Sequence, residues 1–441
     1  MTAPAPAATP REPELSRGRT RYSVVLLIVV YTFAFIDRNI VNVLLEPIRQ
    51  EFDLADWQLG FFSGTAFGIF YATLGLPIAW LADRVPRKRI IGAALAFWSA
   101  MTALQGLAAG FASLAITRIF VGVGEAGCSP PAHSMISDMH RPEIRARALA
   151  VYALGIPIGG ALGLLIGGWM RQLFGWREAF MVVGIPGVVL SLIVFATLRE
   201  PTRGYWEGGV AHSARGTSLA AVFRFLAKLP SFWHLAFAGA LHAFYGYGAA
   251  AFNPVFFERS HGMGPGEYAT IAAGIGLTAG VLGTYLGGWL GDRYGARDVR
   301  SYPFVPGIGS IAGIPFVIAV YLVAQAEVAL VISLIPAVAS GLYLGPTFAM
   351  TQAIVPPHMR AQAAAVLLLI LNLIGLGLGP QFVGILSDLL KPSFGVESVR
   401  YALLYTIAIG AAWSAIHYWF ASKTLGRDLE AQKSLAGFTP A

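Results

Sequence analysis

Asp37, Arg38, Arg118 and Glu125 are charged residues set inside uninterrupted apolar runs. The first pair interrupts VYTFAFIDRNIVNVLL, and the second lies in AITRIFVGVGEAGCSPPAHSMISDM. Each run can cross a bilayer, whose ~30 Å apolar core needs about 20 helical residues. A charge at that depth costs at least ~2.5–3.5 kcal/mol on insertion scales, so it faces a cavity or a partner. Two acids and two bases kept there point to a path for protons or for a charged solute. Arg118 and Glu125 are seven residues apart, which puts them on one helix face, about 10 Å apart along the axis. Arg38 follows Asp37 directly and points about 100° away from it. It can bind an anionic head group through its planar fork, snorkel to the interface, or pair with an acid.

Composition sets the class that must hold these groups. Of 441 residues, 56% are hydrophobic and 12% are charged, against about 25% charged in a soluble protein. The mean hydropathy is +0.64. The chain is therefore expected to be all-α and integral to a membrane, and its 51 glycines suit close helix approach. The single cysteine, Cys128, excludes an internal disulfide. MTAPAPAATPREPELSRGR lacks the apolar core of a signal peptide and reads as a disordered tail.

Hydropathy yields runs near 22–45, 57–81, 89–110, 113–139, 147–171 and 178–198, then near 232–257, 267–291, 302–324, 327–352, 361–387 and 400–421. This predicts twelve transmembrane helices in two pseudo-symmetric six-helix bundles, 22–198 and 231–422. Tails occupy 1–21 and 423–441, and a polar linker fills 199–230. Within that linker SLAAVFRFLAKL (218–229) reads either as an interfacial amphipathic helix or as a flexible segment. Lys and Arg gather after the even-numbered runs and in the tails, whereas the opposite loops hold few, such as Arg49 and Arg259. The positive-inside bias then puts both termini in the cytoplasm, at the inner (plasma) membrane. It also accounts for the net charge of +8 without any nucleic-acid partner.

The halves repeat weakly. LADRVPRKR (81–89) returns as LGDRYGARD (290–298), and PEIRARA (142–148) as PHMRAQA, 215 residues later. Paired six-helix repeats are a transporter architecture. The two basic loops resemble the signature of the major facilitator superfamily. Gly288, Asp292, Arg293 and Gly295 match it, with Arg297 one place late; the first copy keeps Asp83, Arg84, Arg87 and Lys88 but has Ala79 and Pro86 in place of glycine. GIPIGGALGLLIGGW resembles the glycine–proline motif of antiporter-like members, with Gly155, Pro157, Gly159, Gly163 and Gly167. FIDRNIVNVLLEPI, RIFVGVGEAGCSPPAHSMISDM and GWREAF resemble the Spinster-like branch, which includes lysolipid and sphingosine phosphate exporters.

The resemblance implies that runs one and four line a central cavity, so that Asp37 and Arg118 can meet there. An apolar wall favours the neutral acid and a neighbouring Arg favours the carboxylate. Asp37, Glu125 and Arg118 are accordingly the expected proton-coupling group, with a structural ion pair as the alternative. Arg38 and Arg118 are the expected anion contacts. His242, Tyr245 and Asn253 in run seven, and Tyr343 and Thr347 in run ten, would complete a sparse polar lining, or serve only in packing. Asp83, Arg84, Arg87, Asp292 and Arg293 are the expected cytoplasmic gate, with Arg145 and Arg360 as matched basic residues beside it. The basic members also serve as topology signals. Gly64/Gly68, Gly159/Gly163/Gly167 and Gly283/Gly287/Gly291 are expected at the seam between bundles.

GVGEAG (122–127) fits a dinucleotide pattern in letters only, since it has no preceding strand and lies inside an apolar run. No H-E-x-x-H, G-x-S-x-G or G-K-[ST] occurs, so neither an enzyme nor ATP drive is expected, and no cofactor or metal. The reading is a proton-driven secondary transporter, monomeric, moving an anionic lysophospholipid-like lipid by alternating access. A small organic anion such as an aromatic or sugar acid is the second substrate reading. A non-transporting lipid receptor is the reading from another class.

Overall fold

The computed structural model describes residues 14–206 and 219–437, and every regular element in them is helical. Backbone in lipid finds no water to bond, so each segment satisfies its own N–H and C=O groups by coiling. The first part of the chain runs α1 (Arg17–Phe52), α2 (Asp56–Gly60), α3 (Ala66–Ala82), α4 (Arg87–Gln105), α5 (Phe111–Glu125), α6 (Ser129–Met139), α7 (Pro142–Ala153), α8 (Gly155–Leu173) and α9 (Trp176–Thr197). The second runs α10 (Leu219–Leu226), α11 (Pro230–His261), α12 (Pro265–Gly295), α13 (Ser301–Leu322), α14 (Ala326–Gly341), α15 (Leu344–Ala353), α16 (Arg360–Ile370), α17 (Gly379–Phe394) and α18 (Ser398–Gly437). Nine stretches of the described residues are long and apolar enough to cross a membrane.

Local chemistry sets the ends. Pro142, Pro230 and Pro265 open α7, α11 and α12, where the missing N–H costs nothing. α11 stops at Gly262 with φ 65°, the left-handed conformation that glycine adopts without strain. α18 continues to Gly437, well past the expected boundary at 422. Its last turns are rich in helix formers, and Asp428 anchors them by accepting hydrogen bonds from the Ser231 backbone N–H (3.0 Å) and hydroxyl (2.6 Å). α1 likewise starts at Arg17, inside the expected tail. The linker helix forms, but it turns Val222 and Leu226 inward onto a cluster with Leu235 and Leu367. Residues 207–218 of the expected linker, and most of the expected N-terminal tail, lie outside the described residues.

Within the first half α1 packs on α8, and α4 packs on α5 and α9; in the second half α11 and α13 pack on α18, and α12 on α14. α8 against α12 and α2 against α17 join the halves. Two π-helical turns, Phe61–Thr65 and Leu371–Leu378, meet at this join, where the Thr65 hydroxyl donates to the Gly377 carbonyl (2.7 Å). A Cβ on Gly68 would lie 2.8 Å from Gly377 Cα, so only glycine permits that approach. Gly64 and Gly68 are therefore at the seam. The other two glycine rows are not. Gly159 and Gly163 face Thr32, Phe35 and Ile36 of α1, and Gly283 and Gly287 face Val338, Gly341 and Leu342. Each row closes a contact inside its own half.

Candidate functional site

The four charges in the apolar runs come together as two ion pairs. Arg118 on α5 donates to Asp37 Oδ1 on α1 (3.1 Å), and the Thr102 hydroxyl on α4 donates to Oδ2. Arg38 Nε on α1 donates to Glu125 Oε2, the last residue of α5 (2.6 Å). Asp37, Arg118 and Glu125 are each 1% exposed, while the Arg38 side chain keeps 13%. Phe67 on α3 lies between the pairs, with the Arg118 guanidinium 4.7 Å and that of Arg38 5.1 Å from its ring centre. Tyr71 and Phe35 add further faces to Arg38 at 4.2 and 4.8 Å. Such contacts partly replace the hydration each cation has lost. The cluster is neutral overall, but its hydrogen bonding is incomplete. Glu125 Oε1 and Arg118 Nε are buried without partners.

Charge placement explains this local design. Arg38's turn about α1 aims it at α5 near Glu125, which selects ion pairing from its three expected roles. Arg118, expected also as a substrate contact, does not line the cavity because Asp37 occupies its guanidinium and Phe67 covers it.

Beside the cluster is a cavity of about 330 Å³. The first half contributes Asn39, Asn42 and Leu164 to it, and the second half supplies most of the wall. His242, Tyr245 and Asn253 line it as expected, and Ser310, Ser333 and Tyr321 extend the polar lining. His242 bonds Ser340 Oγ (2.9 Å) and Tyr245 Oη (2.6 Å), and Tyr321 donates to Asn253 (2.7 Å). Tyr343 and Thr347 are not on this wall. Tyr343 stacks behind His242 at 4.1 Å, and the fully buried Thr347 bonds the Tyr418 hydroxyl (2.8 Å). Tyr343 supports the lining from behind, and Thr347 in turn donates to the Tyr343 carbonyl (2.6 Å).

The ends of the molecule differ. At the end remote from the termini, Arg259 on α11 donates to Glu46 on α1 (2.8 Å) and in a fork to both carboxylate oxygens of Asp56 (2.8 and 2.9 Å). Ser387 also donates to Asp56, and Asp388 on α17 accepts the backbone N–H groups of Asp56 and Trp57. Arg171 on α8 forks onto Glu258 on α11 (2.5 and 2.8 Å). These bonds tie the halves together over the cavity. The signal for them in the sequence is a pair of basic residues, Arg49 and Arg259, in loops where positive charge is scarce.

At the other end, Asp83, Arg84, Arg87, Asp292 and Arg293 make contacts within their own halves. Arg87, 1% exposed, binds Asp138, Glu200 (2.7 Å) and the Pro201 carbonyl (2.9 Å), so it fastens the segment after α9 instead of reaching across. The Asp83 backbone carbonyl accepts from Arg203, which also donates to Ala82 (2.7 Å) and Val85 (2.8 Å). Arg84 lies over Trp80 (3.7 Å), Arg293 lies over Trp289 (5.4 Å), and Asp292 accepts from Tyr302 (3.0 Å). Arg145 donates to the Ser137 carbonyl (3.0 Å), and Arg360 is exposed at the start of α16. Among the described residues no group of three or more His, Cys, Asp or Glu is placed to hold a metal.

Long apolar helices, a neutralised charge cluster at membrane depth and a cavity shared by two halves define a multi-pass membrane transporter. The chain belongs to the Major Facilitator Superfamily, whose model matches residues 27–380. An MFS-type efflux pump of Mycolicibacterium smegmatis is 32% identical, over 97% of this chain and 99% of that one. Human protein spinster homolog 1 is 30% identical over 91% of this chain and 80% of its own length. A bacterial homologue of the human lysosomal transporter Spinster, solved in inward-facing occupied and unoccupied conformations, superimposes with TM-scores of 0.83 and 0.86. It is 33% identical, covering 94% of this chain and 99% of that one. The Spinster-like resemblance read from the sequence is thus borne out.

Proposed function

We propose that this transporter is driven by protons and moves an anionic, lysophospholipid-like amphipath by alternating access. One observation carries the reading: two buried acid–base pairs, with one carboxylate oxygen unbonded, beside a cavity walled by both halves. Protonating Glu125 or Asp37 removes the anion that holds its arginine, and the freed cation is then available to an anionic solute. The coupling and the anion contact are in this way one event. The cavity's amide, hydroxyl and aromatic lining suits an amphipathic solute, and the likeness to a homologue of the lysosomal transporter Spinster supports a transport role.

Division of the 357–432 stretch into its two long helices, with 56–82 and 87–105 counted as spans, gives twelve spans in two six-helix bundles. Both termini are then cytoplasmic, the tied end is external, and the structure corresponds to an inward-facing state. Asp83, Arg84, Arg87, Asp292 and Arg293, with Arg145 and Arg360 beside them, act as the cytoplasmic gate in the opposite state, when their half-to-half contacts form. A small organic anion is the second substrate reading.

The test is to purify the protein from membranes and identify co-purifying lipid by mass spectrometry. An enriched lysophospholipid that is lost in Arg38→Ala supports the lipid reading. A lipid profile equal to that of the bulk membrane, together with gradient-driven uptake of an aromatic acid, would replace it.

A further inference from the structure

Glu125 sits where the transmembrane rod formed by α5 and α6 is broken. Residues 126–128 form a turn, and Pro130 and Pro131 open α6. Neither proline has an N–H, so the carbonyls of Ala126 and Gly127 lose their helical donors. Below the break, polar groups continue toward the end that holds the termini. The Cys128 backbone N–H donates to the Glu125 carbonyl (3.1 Å), its thiol lies beside Tyr152, and the Ser129 hydroxyl lies beside the hydroxyls of Tyr31 and Tyr152. Tyr152 is fully buried, its hydroxyl is set against the Cys128 thiol and the Ser129 hydroxyl, and its ring stacks on Tyr31 at 4.4 Å. The His133 ring meets the Tyr152 ring edge-on at 5.3 Å, and His133 is exposed. His133 follows Glu125 by eight residues, about 12 Å along a helix axis.

We propose that His133 is the group through which Glu125 exchanges its proton with water on the side of the termini, with Ser129 and Tyr152 as the hydroxyls between them. This rests on the proton-driven reading above. The unbonded Glu125 Oε1 is buried at the upper end of this line, the Tyr152 hydroxyl stands beside Ser129 in its middle, and an exposed imidazole stands at its far end. In the outward step the Glu125 carboxyl passes its proton to a hydroxyl, which passes its own proton on. His133 receives one on a ring nitrogen and releases it to water, so the hydroxyls end unchanged. Imidazole suits this end because its free form accepts and its charged form releases near neutral pH.

The titratable and charged groups facing this stretch include Asp37, Arg38 and Tyr31 on α1, Tyr71 on α3, Arg87 on α4, Arg118 on α5, Asp138 on α6, Arg145 and Tyr152 on α7, and Glu200 after α9. Arg38 is held by Glu125, Arg87 by Asp138 and Glu200, and Arg145 by the Ser137 carbonyl. None of these arginines can accept a proton. Asp138 and Glu200 are engaged by Arg87, which leaves His133 as the exposed acceptor on this stretch.

The experiment is a pH jump on the full-length protein in proteoliposomes on a solid-supported membrane, in weak buffer and without any lipid substrate. Wild type should give a charge displacement that Glu125→Gln removes. His133→Ala should keep its amplitude but slow it on the order of tenfold or more. Added imidazole should restore the rate, and Tyr152→Phe should slow it too. A wild-type rate in His133→Ala, with the signal still abolished by Glu125→Gln, overturns the relay and leaves proton coupling standing. A slowed His133→Ala that imidazole does not restore also overturns it, since a packing defect behaves that way. A wild-type protein with no displacement removable by Glu125→Gln overturns the proton-driven reading itself.

Discussion

At the scale of the residue, the cluster is held by two arginines whose loss is costly for different reasons. Among the described residues Arg118 is the one cation in an ion pair with Asp37, and both are buried. Truncation to Arg118→Ala leaves a carboxylate without a counter-charge, which typically costs about 3–5 kcal/mol. Asp37→Asn in the same chain needs no cation and should recover most of that loss. The check is the thermal midpoint of the purified protein: single variant strongly lowered, double variant close to wild type. An undisturbed single variant, or a double variant no better than the single, would contradict the pairing. Arg118→Lys should transport poorly, because Lys supplies charge without the planar fork that serves both Asp37 and the Phe67 ring.

The pairing of Asp37 with Arg118 was legible because a charge in a long apolar run demands a partner and the family resemblance set runs one and four against the same cavity. The partner of Arg38 was open, since three environments satisfy an arginine at that position. Thr102 and Phe67 were not legible at all. A threonine and a phenylalanine in apolar runs are ordinary residues until a charge is seen against them.

At the scale of the element, hydropathy located the rods well and their interruptions poorly. The π-helical turns at 61–65 and 371–378 leave no mark beyond scattered glycines, and glycine rows served equally for packing inside each half. Proximity in space decided between those uses. The tie at the end remote from the termini was missed because Glu46, Asp56, Glu258 and Arg259 lie at span ends, where single charges are common. Arg259 is its centre, with bonds to acids on two other elements. Arg259→Gln should loosen that end and populate the state in which it opens. A change of ~1.4 kcal/mol moves the ratio tenfold. Spin-label distances between α2 and α17 at that end should lengthen in a new population. A distance distribution identical to wild type would reduce the tie to a static brace.

At the scale of the whole molecule, charge is distributed by function. The α1–α4–α5 contact holds the titratable cluster, the second half supplies most of an uncharged polar wall, and cross-half ion pairs among the described residues join only one end. The family was legible because its basic loops and glycine–proline motif are compact in sequence. The conformation was not, since the same motifs are compatible with either end being tied. If the halves rock about the π-turn contact at Thr65 and Gly377, the tied end must release as the gate residues meet.

The central claim is that a proton taken by Glu125 drives transport. Its most direct test uses proteoliposomes with an imposed pH gradient and a fluorophore-tagged lysophosphatidylglycerol. Wild type should accumulate the probe only while the gradient lasts. Glu125→Gln and Asp37→Asn should stay folded and still exchange probe down its own gradient, but should fail to accumulate it. Accumulation by both variants at the wild-type rate would contradict the account.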